Sequence, residues 1–491
     1  MGMSNIQQQA IGPDATYQRG INDGPMRTCR LVVSLALVLL LNSCSGKAHE
    51  LFPAGSPRER FISFRYAIYM MPVCKSDPVV LLRALINKRY PDLKIVDTLS
   101  NEPQQRMVRV QWEKDVGHNF APPDLKLLEH SGFGLSPQQS EDLQRSQQAI
   151  ILDFAHPSGD AWIALRSATG LLLDFARENG GLIWDEETRQ VFSIDSWQSK
   201  RLQPLTDSIP NVTSEIVIHS YQDGEFVRSI TLGMKKLALP DVVINGMPWS
   251  SDGQAGHIIN MFSQLMAEGA VFKKAGRYKL DRKAIKNADV RDFVTDYGPN
   301  ATSIACLTLK QGKLEEGDAE NRLIEITADT YPGNDVHAKQ EKMIATFFGS
   351  QDSIKHVKHN KELLDVSAEA KARLPELQKA FAAGLAPQEF IDVKAPFATP
   401  TGDTEWMWVE VTSWKGNKIK GLLENDPAEV PNLHAGQVVE VRQEDVFDYI
   451  RYYPDKRREG NTTGEILKKM EEQGALEDTT VKPEPVRCDV E

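Results

Sequence analysis

Residues 149–193 read AIILDFAHPSGDAWIALRSATGLLLDFARENGGLIWDEETRQVFS, and this stretch decides the fold class. Ala149 to Phe154 is an apolar run of strand length. Asp160 is a candidate cap for the helix that follows, in which Ile163, Leu165, Leu172 and Phe175 recur at helical spacing. Gly180-Gly181 is the punctuation that ends such a helix, because glycine takes a left-handed backbone without strain. Leu182–Trp184 and Gln190–Ser193 then read as a short hairpin. The unit is strand–helix–strand–strand.

The segment before it has the same order. Ile62 to Met71 alternates as a strand, and Ser76-Asp77-Pro78 opens a helix carrying Val79, Leu82 and Ile86. Tyr90-Pro91 stops that helix, and Leu93–Thr98 and Met107–Trp112 are two more strands. Two such units across 61–200 predict an α+β domain built of ferredoxin-like βαββ units, with helices on one face of a sheet. Residues 201–365 are expected to be a second α+β region. It holds a hairpin at Asp223-Gly224, an amphipathic helix through Ile258, Phe262 and Met266, and a charged, irregular segment at 276–300. Residues 366–475 predict a small β-rich domain with flanking helices. Its first helix, Ser367–Gly384, has Pro375 inside it, and five short strands lie between Phe390 and Tyr452. Residues 476–491 form a polar tail without core residues and are expected to be disordered.

At 491 residues the chain has room for about three domains. With 25% charged and 41% apolar residues it has the balance of a globular protein, not of a polytopic membrane protein. The net charge of −11 gives a surface that repels phosphate backbones, so no nucleic-acid partner is expected.

The start of the chain carries an export pattern. Arg27 and Arg30 precede the apolar run Leu31–Leu41, which leads to Asn42-Ser43-Cys44. Eleven residues span roughly 16 Å as a helix, about half a hydrocarbon core, so the run is too short to cross a bilayer. Leu-Asn-Ser-Cys resembles a bacterial lipobox. The resemblance implies cleavage before Cys44, with 1–43 as leader and lipoprotein signal peptide, lipidation of Cys44, and 44–60 as a tether. Met26 competes with Met1 as the true start. Ser45 after the cysteine implies an outer-membrane lipoprotein facing the periplasm, the inner membrane being the lesser alternative. Several acyl chains, at about 0.8 kcal/mol per buried CH₂, would hold such a protein on the bilayer. Cys29 is lost with the signal, which leaves Cys74, Cys306 and Cys488 for at most one disulfide. Cys488, in a polar tail, could be reactive or pair between chains.

The remaining polar clusters point weakly to chemistry. His356 and His359 could share a helix face, but Lys355, Lys358 and Lys361 put positive charge where a cation would sit, and a solvated face is the plainer reading. Asp153, His156 and Asp160 surround a strand end, yet no nucleophile motif lies near them. Gly-x-Ser-x-Gly, His-Glu-x-x-His and Walker loops do not occur. In Glu405–Val411, period-two alternation sends Met407, Val409 and Val411 one way and Trp406, Trp408 and Glu410 the other. The second set is a possible binding surface; the alternative is packing beneath the preceding helix, against Leu377 and Phe381. No catalytic residue, metal or cofactor is expected. The reading is a lipid-anchored cell-envelope protein that acts as a binding or interaction module with a protein partner, the alternative being an envelope hydrolase with an unfamiliar site.

The C-terminal region, about 366–470, resembles the uncharacterised bacterial YegJ-like domain. The resemblance rests on Val393-Lys394, on Glu405, Met407, Trp408 and Val409, and on Gly421, Asn425, Pro427, Gly436 and Val438. It continues through Val446-Phe447-Asp448-Tyr449, where Tyr449 stands for the usual Trp, to Gly460-Asn461-Thr462-Thr463. The family implies no activity, and its glycines, Asn and Pro read as turn chemistry.

Overall fold

The structure, a computed structural model, describes residues 8–9, 50–71, 77–205, 210–295, 297–298, 300–349, 353–354, 361–386, 388–424, 426–472, 479–480 and 488. The export pattern, Cys44, Cys74, His356 and His359 lie outside the described residues.

The chain is a mixed α+β protein with three main sheets. The first is built from β1 (Phe61–Tyr69), β2 (Met107–Glu113), β3 (Ala149–Pro157), β4 (Leu182–Asp185) and β5 (Gln190–Phe192), with α1 (Pro78–Arg89) and α2 (Ala161–Asn179) between them. The strands lie in the order β2-β3-β1-β4-β5, each pair antiparallel. Asp77 caps α1 by accepting the N–H groups of Val79 and Val80, with Pro78 in the first turn where a missing N–H costs nothing. α2 stops at Gly180, whose φ of +80° is open to glycine at little cost. Leu165, Leu172 and Phe175 of α2 are fully buried against Phe64, Tyr66 and Leu152, each worth about 2–3 kcal/mol.

Several local expectations fail for identifiable reasons. Ile163 is 58% exposed, because it points away from the face that Leu165 and Leu172 bury. Asp160 makes no side-chain cap; its carboxylate faces Arg106 instead. The sheet is also covered on both faces. Ala67, Tyr69, Ile151 and Trp184 pack against Val116, Leu128 and Leu143 from short helices at 116–119, 125–131 and 137–144. The last of these was masked by its Gln-rich polarity, although Ser136 and Gln139 form a reciprocal capping box.

The second sheet contains β6 (Val217–Asp223), β7 (Phe226–Leu232), β8 (Asp241–Met247), β9 (Arg277–Asp281), β10 (Ile304–Gln311) and β11 (Leu323–Thr327). Their order is β6-β7-β8-β11-β10-β9, with only β8 and β11 parallel among them. The segment 276–300 is therefore not wholly irregular, since β9 pairs with β10 at the sheet edge. The helices α3 (Trp249–Ala267) and α4 (Val336–Phe348) pack on this sheet. One apolar cluster runs from the first sheet into the second, so residue 200 separates two sheets but not two cores.

The C-terminal part has its own core. After α5 (Lys361–Ala383), an unbroken helix through Pro375, come β12 (Phe390–Ala398), β13 (Thr404–Lys415), β14 (Lys418–Leu423), β15 (Val438–Arg442), β16 (Asp448–Tyr452) and β17 (Arg458–Gly460), then α6 (Thr462–Glu472). The order β15-β14-β13-β12-β16-β17 is antiparallel throughout. Leu374 and Leu377 of α5 pack on Val393, Met407, Val409 and Val411. Cys488 is disulfide-bonded to Cys306 of β10 within the same chain and is neither a free thiol nor paired between chains. No helix of the described residues is long and apolar enough to cross a membrane.

Candidate functional site

The alternation along β13 is as its sequence reads: Met407, Val409 and Val411 enter the core, and Trp406, Trp408 and Glu410 face the other way. Neither tryptophan sits in the Leu377 and Phe381 core. Trp406 packs on Phe447 at 4.7 Å in a small cluster with Leu363 and Ile466, and the residue near Phe381 is Trp414. Trp408 is half-buried, with Lys394 Nζ 5.5 Å from its ring centre. Glu410 is buried and cannot belong to an open recognition surface. Its two carboxylate oxygens accept the N–H groups of Trp249 and Ser250 at 3.0 and 2.9 Å. The helix α3 starts after Pro248, which has no side-chain acceptor, so Glu410 supplies the cap from another part of the chain.

Directly across the ladder from Glu410 stands Asp392 of β12, and Glu424 follows the last residue of β14. One carboxylate oxygen from each of the three lies within 4.8 Å of the others. Like charges placed opposite each other on neighbouring strands repel, and burial strengthens the repulsion. Asp392 is 1% exposed, and neither of its oxygens has a hydrogen-bond donor among the described residues; the group that reaches it is another acid, Glu424. Burial first, then the charges of Glu424 and Glu410, push its carboxyl well above the usual range. Glu410 is also raised by burial, with the two helix amides acting against the rise. Tyr452, stacked on Phe390 at 4.4 Å, borders the cluster; burial and then these carboxylates hold its phenol up.

The cluster lies at the seam between the C-terminal sheet and the second one. Lys420 pairs with Glu225, and His434 Nε2 lies 3.0 Å from Asp335. Gly436, at φ +78°, rests on His337, where an added Cβ would fall 2.4 Å from the histidine Cβ. Gly421 is inside a strand, not a turn, and an added Cβ there would meet the Glu410 carbonyl oxygen at 2.1 Å. These glycines serve close approach of chain segments more than turn chemistry.

A second buried ionic group offers a contrast. Lys236 Nζ, wholly buried, donates to Asp185 at 2.7 Å and Glu215 at 3.2 Å, and Arg201 lies 3.3 Å from Asp185. Two acids there meet two bases, the arrangement that makes buried charge tolerable.

The other polar candidates do not converge. Asp153 and His156 lie three apart on β3 and therefore on opposite faces of the sheet. Asp153 is held by Arg65 at 2.7 Å and by Arg109, also at 2.7 Å. His156 is buried beside Phe64, its Nδ1 3.0 Å from the Pro157 carbonyl oxygen. Asp392 and Glu424 were not singled out in the sequence; the available signal was an acid inside the apolar run Phe390–Val393 and another just after Leu422-Leu423.

This seam belongs to an α+β protein whose last fifth has a recognisable family: residues 377–478 match a family described as an uncharacterized protein conserved in bacteria (DUF2314). All three carboxylates fall within that match. Among curated proteins, the uncharacterized protein YegJ of Escherichia coli (strain K12) is 33% identical over 75 residues, which is 15% of this chain and 48% of that protein. The chain thus spans about half the length of the curated relative it matches. No solved structure matches the chain.

Proposed function

We propose that the chain is a lipid-anchored protein of the bacterial cell envelope that works by binding a partner rather than by catalysis. The single observation that carries the location is the Cys306–Cys488 disulfide, since such bonds persist in oxidising compartments and are rare in reducing ones. It agrees with the Arg27–Cys44 export pattern, in which Cys44 takes the lipid and the outer membrane facing the periplasm is the destination. The binding role draws support from the placement of Asp153 and His156 on opposite faces of their sheet, so these two do not gather in one cleft. For the N-terminal part we read a ferredoxin-like unit, supported by the antiparallel order β2-β3-β1-β4 with α1 and α2 on one face.

The test is metabolic labelling with an alkynyl fatty acid. Wild-type chain is expected to carry the label and to sediment with membranes. Cys44→Ala is expected to lose both the label and signal cleavage, with a slower-migrating band. A wild-type chain that takes no label and keeps residues 1–43 overturns the proposal.

A further inference from the structure

We infer that Asp392, Glu410 and Glu424 form a binding site for a hard divalent cation of the calcium class. The site would hold wherever in the cell the chain resides, so it does not depend on the envelope reading.

Geometry comes first. Three carboxylate oxygens from β12, β13 and the end of β14 lie within 4.8 Å of one another. A calcium ion takes oxygen ligands at about 2.3–2.6 Å, so two ligands on opposite sides of it are at most about 5 Å apart. Oxygen-only ligation selects calcium, magnesium or manganese over zinc and copper, which favour nitrogen and sulfur. Magnesium needs ligands at about 2.0–2.1 Å and near-ideal octahedral angles, a tighter set than this ladder pairing offers without movement.

The second observation concerns Asp392 alone. It is 1% exposed, and neither oxygen has a donor among the described residues. A buried carboxylate normally receives hydrogen bonds or a base, and leaving it without either costs several kcal/mol. The same molecule shows the ordinary solution at Asp185 and Glu215, where Lys236 and Arg201 supply the compensation. At Asp392 the groups that act on the carboxyl are acids. Lys394, the neighbouring base on the same side of β12, has its Nζ over the Trp408 ring. Glu410 is partly neutralised by the α3 amides and by the Ser250 hydroxyl, three donors on its two oxygens, which leaves one lone pair for a cation. Glu424 is half-buried and stands at the rim, where an ion would enter. The rival occupant is a proton shared between Asp392 and Glu424.

Calorimetry separates the two. The full chain, purified in detergent and stripped with EDTA, is titrated with CaCl₂, with MgCl₂ and MnCl₂ in parallel. One calcium per chain is expected, with a dissociation constant at or below about 1 mM and a rise in Tm. Asp392→Asn and Glu424→Gln are each expected to weaken calcium binding tenfold or more. Asp392→Asn relieves a buried like-charge contact, so it should be at least as stable as wild type without metal; loss of binding then cannot be ascribed to unfolding. Glu424→Gln, at the rim, provides a second variant with an intact far-UV spectrum. Absence of heat and of any Tm shift at about 10 mM of all three salts overturns the site, as does an Asp392→Asn variant that binds as tightly as wild type. Tighter binding of magnesium than of calcium overturns the calcium assignment.

Discussion

Glu187 shows how one buried acid sets a pH dependence. Burial pushes its carboxyl up to about 7, although one oxygen accepts the Arg65 N–H at 3.1 Å. The folded chain therefore holds a proton that the unfolded chain releases near pH 4.5, and stability falls as pH rises from there to about 7. Glu187→Gln keeps the acceptor and removes the charge. It is expected to be more stable than wild type at pH 8, by up to about 3 kcal/mol, and equal to it near pH 4.5, as read by urea unfolding. His219 and His257 act in the opposite sense. Burial lowers both to about 4, so their contribution is present above pH 6.5 and lost as pH falls towards 4. None of these shifts was legible in the sequence, because each arises from neighbours distant along the chain. Asp392 was hidden for the same reason: its meaning depends on Glu410 standing opposite it, 18 positions away across a register the sequence does not print.

Elements were more legible than the contacts between them. The Asp77-Pro78 start of α1, the Gly180-Gly181 end of α2 and the Asp223-Gly224 hairpin are local signals, and the structure has each one where it reads. Gly421 was misread because a glycine in a strand and a glycine in a turn are alike in sequence. Its lack of a side chain lets β14 lie against β13, where the register slips between Val411 and Ser413. Gly421→Ala forces a Cβ against a backbone carbonyl that cannot swing aside. The expected cost is about 3 kcal/mol, visible as a lower urea midpoint, whereas Gly253→Ala in α3, with open space around it and no left-handed backbone, is expected to cost less. Glu410 likewise links elements, since a residue inside a strand caps the start of α3.

At the scale of the molecule, composition and patterning foretell an α+β chain in several parts, and the third part has its own core. They do not foretell that the first two sheets share one apolar cluster, because shared burial leaves no mark in either segment's periodicity. Nor do they foretell which of three cysteines pair. The bond spans 182 residues, and closing so long a loop restricts the unfolded chain by about 5 kcal/mol at most. Cys488→Ser, or reduction of the wild type, is expected to lower stability by about 2–5 kcal/mol, seen as a drop in Tm that reductant does not deepen in the variant.

That same bond has a topological consequence. The whole DUF2314-like module lies inside a covalent ring closed at Cys306 and Cys488. A protease that nicks the backbone once anywhere within the ring opens it without releasing a piece. The two halves should run as a single band on a gel until a thiol is added, so one scission would leave the module still tethered to its parent.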